Sequence, residues 1–125
     1  MKDSLTESVA RLYRAGSEHS QQTQKLQVAV DSLLRWIKEK IPNDFVLPCD
    51  AYMYPSGEFE WKELWGDRMS PRIITLGTEH SVFDLVCFSK LISDGFLDKL
   101  SEKLEAEAMT FQKTSKQIDS FVTPS

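Results

Sequence analysis

The sequence predicts an α+β domain: a long amphipathic N-terminal helix, a three- to four-stranded antiparallel meander and a C-terminal helix. Three observations carry this. Apolar positions recur alternately four and three apart from Leu5 to Ile37, fall on every second residue around Phe59 and Trp61, and return to helical spacing after Asp94. A period near 3.6 marks one face of a helix, and a period of 2 marks a strand with one buried side.

The first element runs to Pro42, the first proline of the chain and a helix stop. Its stripe is a heptad, with Val9, Gly16, Thr23, Val30 and Ile37 at position a and Leu5, Leu12, His19, Leu26 and Leu33 at d. Ser4 with Glu7 fits a capping box at its start. The stretch around Gly16–Ser20 is weak, yet the heptad phase passes through it unbroken, so one continuous helix is expected. About 38 residues span about 57 Å. A compact chain of this size is only about 35 Å across. Such a helix needs a second chain to cover it.

Residues 1–41 are therefore expected to form an oligomerisation helix, with Leu12, His19, Leu26, Val30, Leu33 and Ile37 in the seam. His19 reads as a polar layer that fixes register. Its protonation would place like charges together, so the assembly is expected to loosen toward about pH 5.

Residues 42–112 are expected to hold the sheet and its packing helix. Ala51–Tyr54 and Glu58–Lys62 read as two strands about a turn at Pro55-Ser56-Gly57. Gly66–Pro71 reads as a loop, and Arg72–Leu76 as a third strand ending at Gly77. Residues 81–88 are rich in β-branched and aromatic side chains and are expected as a fourth strand, with 77–80 as a hairpin connection. The competing helix would be capped by Thr78 and stopped by Gly95. From Asp94, a plausible N-cap, Leu97, Leu100, Leu104, Ala108 and Phe111 mark the closing helix, and 113–125 is expected as a frayed tail.

Composition narrows function more than it selects it. The 125 residues carry a formal net charge of −4, with 41% hydrophobic and 27% charged side chains, ordinary for a globular chain. Residues 1–41 carry seven basic and five acidic side chains, whereas 42–95 carry four and nine. That acidic middle would repel a phosphate backbone, so direct nucleic-acid binding is not expected. No apolar run nears a membrane span and no export signal opens the chain, so a cytoplasmic protein with reduced Cys49 and Cys87 is expected.

Catalytic constellations are sparse. Cys49 lies beside Asp50, whose charge disfavours a thiolate, and Cys87 lies in an apolar run. His80 with Glu79 and Asp84 is the one suggestive cluster, and on a hairpin these are exposed turn residues. With no metal-ligand spacing and no glycine-rich phosphate loop, neither an enzyme nor a bound cofactor or metal is expected.

The middle is dense in aromatics. Phe59, Trp61, Phe83 and Phe88 are expected in the core, leaving Tyr52, Tyr54 and Trp65 for contact with a partner. Trp and Tyr beside Arg are hot-spot residue types. Trp65, Asp67, Arg68 and Met69, with Tyr52, Tyr54, Glu58 and Glu60, are therefore the candidate partner-binding residues. The function expected is a non-catalytic adaptor or inhibitor that self-associates and binds a protein with a basic surface. The alternative is a nucleotide-like small-ligand binder that stacks aromatics and holds anions with Arg68 and Arg72.

Overall fold

The computed structural model describes residues 2–123. Its elements are α1 (Lys2–Lys40), β1 (Tyr52–Met53), β2 (Glu58–Trp65), β3 (Arg68–Thr75), α2 (Val82–Ser93) and α3 (Phe96–Val122). The three strands form one antiparallel sheet in the order β1-β2-β3. The fold is α+β, with helices against one face of the sheet.

Helix α1 is unbroken through Gly16. It starts before Ser4, so that residue lies inside the first turns and is not their cap. Its C-terminal third is built into the core through Val30, Leu34 and Ile37, and Ile41 just beyond its end continues the spacing of four, three and four. The boundary drawn at residue 41 thus divides the sequence but not the core. Against that stripe the sheet sets Phe59, Trp61 and Ile74, and the later helices add Leu85, Phe88, Leu91, Phe96 and Leu100. Phe59 meets Phe88 and Phe96 edge to face, at 6.0 and 5.9 Å between ring centroids. Trp61 meets Phe88 at 5.6 Å. Edge-to-face pairs of this kind add about 0.5–1.5 kcal/mol beyond area burial.

Two expectations fail in this part of the chain. Residues 82–93 are helix, not a fourth strand. Ser81 Oγ accepts the Asp84 N–H at 3.1 Å, and the cap sets burial at helical spacing through Leu85, Phe88 and Leu91. The β-branched Val82 and Val86 point to solvent, where propensity decides little. Phe83 is half exposed, and Phe96 takes the core place expected of it.

Residues 68–71 are strand, not loop. Trp65 and Arg68 flank a two-residue turn in which Gly66 stands first at φ 59, a conformation that favours glycine. That turn makes Trp65↔Arg68 a hydrogen-bonded pair, so bonding alternates through Glu63↔Ser70 and Trp61↔Arg72. Pro71, opposite Lys62, falls on a non-bonded pair at the sheet edge, where its missing N–H costs nothing.

The expected frayed tail is helix as far as Val122. No glycine or proline interrupts it before Pro124, and the Thr110 and Thr114 hydroxyls bond back to carbonyls four residues earlier. Asp94 closes α2 instead of opening α3, and Gly95 at φ 96 turns the corner between them.

Both long helices outrun the folded head. At 1.5 Å per residue α1 is about 58 Å long and α3 about 40 Å. The accessible surface of 9513 Å² exceeds the roughly 6,800 Å² of a compact domain of this mass, and the arms supply the excess. Among the described residues, no helix is long and apolar enough to cross a membrane.

Candidate functional site

The arms are the first candidate surface. On α1, Leu5, Leu12 and Tyr13 are exposed by two-thirds or more, and Val9 is 40% exposed. On α3, Met109, Phe111, Ile118, Phe121 and Val122 are exposed beyond the last core contact at Leu104. Leu97, Leu104, Phe111 and Ile118 recur every seven residues, so α3 carries a heptad stripe past the point where the sequence reading stopped. That spacing was the available signal for Ile118.

The arms leave the head in different directions. Leu97 lines a groove with Leu26 and Leu33 of α1. Six residues later, Lys103 donates to the Val46 carbonyl and sits 5.6 Å over the Phe45 ring, beyond the C-terminal end of α1. The rest of α3 therefore runs away from the α1 arm.

The expected seam residues divide into two sets. Leu12 and His19 are exposed on the arm. Val30 and Ile37 are buried at 2% and 1% exposure in the chain's own head, with Leu34 beside them; Val30 still lines the groove between Leu26 and Leu33, and Ile37 does not. Leu26 and Leu33 stand between these sets, half-buried on the rim of the groove.

The expected partner-binding residues form two groups. Tyr52 and Glu60 are cross-strand neighbours on the outer face of the sheet, and Tyr52 meets Tyr54 edge to face at 4.6 Å. Glu58 shares that face by alternation, as do Leu64, Met69 and Ile73, each about half exposed. Trp65, Asp67 and Arg68 lie at the far hairpin end, where only Gly66 and Asp67 are true loop residues.

Behind Trp65 lies a cluster the sequence reading missed. Glu63 is buried on the inner face, with one carboxylate oxygen 3.0 Å from Arg72 Nε and the other 4.0 Å from Lys90 Nζ. Burial alone would raise its carboxyl pKa. Hydrogen bonds from Arg72, the Cys87 thiol and Trp65, with the Arg72 charge, outweigh burial and hold it below its ordinary value. The Arg72 guanidinium also lies 5.6 Å from the Trp65 ring and 4.9 Å from that of Phe83, within cation–π range. Arg72 is thus committed to an internal carboxylate, which leaves Arg68 as the exposed guanidinium of the pair. Burial, then Glu63, raises the Cys87 thiol above its ordinary value, which disfavours a thiolate there.

His80 is not an exposed turn residue. It is buried, with Nε2 3.0 Å from Asp31 Oδ1 of α1, whereas Asp84 gives its backbone N–H to the Ser81 cap. Gln27 completes the clamp: its amide accepts the His80 N–H at 3.0 Å and donates to the Thr78 carbonyl at 2.9 Å. These bonds fasten α1 to the segment leading into α2. Among the described residues, no group of three or more His, Cys, Asp or Glu side chains is placed to hold a metal ion.

Neither family models, nor curated proteins, nor solved structures give a match to this chain.

Proposed function

We propose that this chain is a non-catalytic interaction protein, an adaptor or inhibitor, that associates with itself through α1 and engages a protein partner through the acidic, aromatic outer face of its sheet. One observation carries the reading: both long helices leave the head with apolar residues in water, on a continuous stripe. A helix whose apolar stripe is uncovered gains little by extending into solvent, since most helical stability in proteins comes from packing that stripe. Covering Leu5, Val9 and Leu12 on each of two copies offers about 1.5–3 kcal/mol per side chain. Two-fold closure is the commonest way for a soluble chain to do so.

The outer sheet face suits a second role. Tyr52, Leu64, Met69 and Ile73 give it contact area, while Glu58 and Glu60 would steer a basic surface toward it. Light scattering tests the first part: a dimer or larger assembly is expected at micromolar concentration and neutral pH, and a monomer rejects it. Association with a basic partner should slow as salt rises, and a salt-independent rate removes the steering role.

A further inference from the structure

Resting on the self-association read above, we infer that the groove beside α1 takes the N-terminal tip of a second copy, in an antiparallel α1 pair centred between Gly16 and His19. Charge placement comes first. In the heptad frame every Asp, Glu, Lys and Arg from Asp3 to Arg35 falls at b, c or f. The a, d, e and g positions of that stretch carry none, and g is filled by Ser8, Ala15, Gln22 and Ala29. A second helix can therefore approach closely along the whole stripe without desolvating a charge.

The groove supplies the second observation. It measures about 470 Å³, and its α1 wall is Leu26, Ala29, Val30 and Leu33, faced by Ile92 and Leu97. Those four α1 residues are successive d, g, a and d positions, the four-residue hole that receives one knob in coiled-coil packing. The α1 stripe thus ends in an open hole walled on its far side by the head. It fits an apolar side chain at the end of a helix.

Layering selects the register. Antiparallel pairing sets a against d′, and one alignment places Leu5′ over Val30, Val9′ over Leu26, Leu12′ over Thr23 and Gly16′ over His19. Thr23 then faces the larger Leu12′, and Gly16′ leaves room for the His19 ring. Sliding one heptad further would drive Leu5′ onto Ile37, which does not line the groove. Sliding back leaves the hole without a leucine. A parallel pair would stack Gly16, His19 and Thr23 each on its own copy, three weak layers in a row. In the chosen register Leu5′ enters the hole between Leu26 and Leu33, and the overlap of 5–30 spans about 39 Å of helix.

Disulfide trapping tests this. Leu12→Cys with Thr23→Cys should give a covalent dimer in most of the chain on mild oxidation, above the wild-type background from Cys49 and Cys87. Leu12→Cys alone should stay at that background. Leu5→Glu should weaken the wild-type dimer at least tenfold without loss of helicity. A covalent dimer from Leu12→Cys alone means a parallel pair and overturns the inference. A dimer by light scattering that the double variant cannot trap, or that Leu5→Glu leaves intact, overturns it while the self-association reading stands. A monomeric wild type ends both.

Discussion

The two ends of α1 share one heptad and have opposite surroundings. Between Leu34 and Ile41 the stripe is buried in the core, whereas from Leu5 to His19 the same stripe faces water. The sequence states that a face wants cover; it does not state whose. What separates the two ends is tertiary: Gln27 and Asp31 are where the segment before α2 is hydrogen-bonded to the helix, and the head begins there.

Substitutions at the two ends should therefore differ most. Leu34→Ala, at a side chain with no exposure, should cost about 2–5 kcal/mol in urea unfolding, since both transfer and cavity terms apply. Leu12→Ala in a dilute, monomeric sample should cost well under 1 kcal/mol. Equal losses would abolish the contrast between arm and head.

Within the head, Glu63→Gln should cost about 1–3 kcal/mol at neutral pH, because Arg72 then faces an uncharged amide in a buried setting. The pH dependence has a definite sign. The folded carboxyl is held below its ordinary value of 4.5, so the unfolded chain binds the proton more readily. The contribution is complete above about pH 4.5 and is lost as pH falls through the folded value. Thermal unfolding of Glu63→Gln should show a flatter acid limb than the wild type, and identical limbs would remove Glu63 as its source.

The border between the regions is tested by Gln27→Ala, which deletes two bonds to backbone groups and should cost about 1–2 kcal/mol. Amide exchange near Leu26 should accelerate toward the rate of the arm. If protection there is unchanged, the clamp does not set the border. The smallest effect is expected from Leu5→Glu with Leu12→Glu. Monomer stability should stay within about 0.5 kcal/mol of wild type, as for surface substitutions generally, while the oligomer dissociates.

The α+β class, the continuity of α1, and the inward Phe59 and Trp61 of β2 were legible because each rests on a long or strict period. The errors came where short-range propensity competed with tertiary context. Residues 82–88 have the composition of a strand, and only the Ser81 cap with its bond to Asp84 decides for helix. Pro71 looked like the end of a loop because a sheet edge is invisible in sequence. Glu63 alternates correctly onto the inner face, but nothing local shows that Arg72 would lie opposite Trp61 and make its burial tolerable. At the candidate surfaces, the heptad phase marked Val30 and Ile37 as apolar positions but not that the chain's own head would take them into its core.

The order of the chain sets a timetable. Ile37 precedes Phe96, its last large aromatic partner in the core, by 59 positions. Translation at about 5–20 residues per second makes that interval roughly 3–12 seconds, whereas a helix forms in about a microsecond. During synthesis α1 therefore waits, for millions of its own relaxation times, with both ends of its stripe uncovered. Under the self-association proposed above, closure of the head is the step that decides which part of the stripe is left for a second chain.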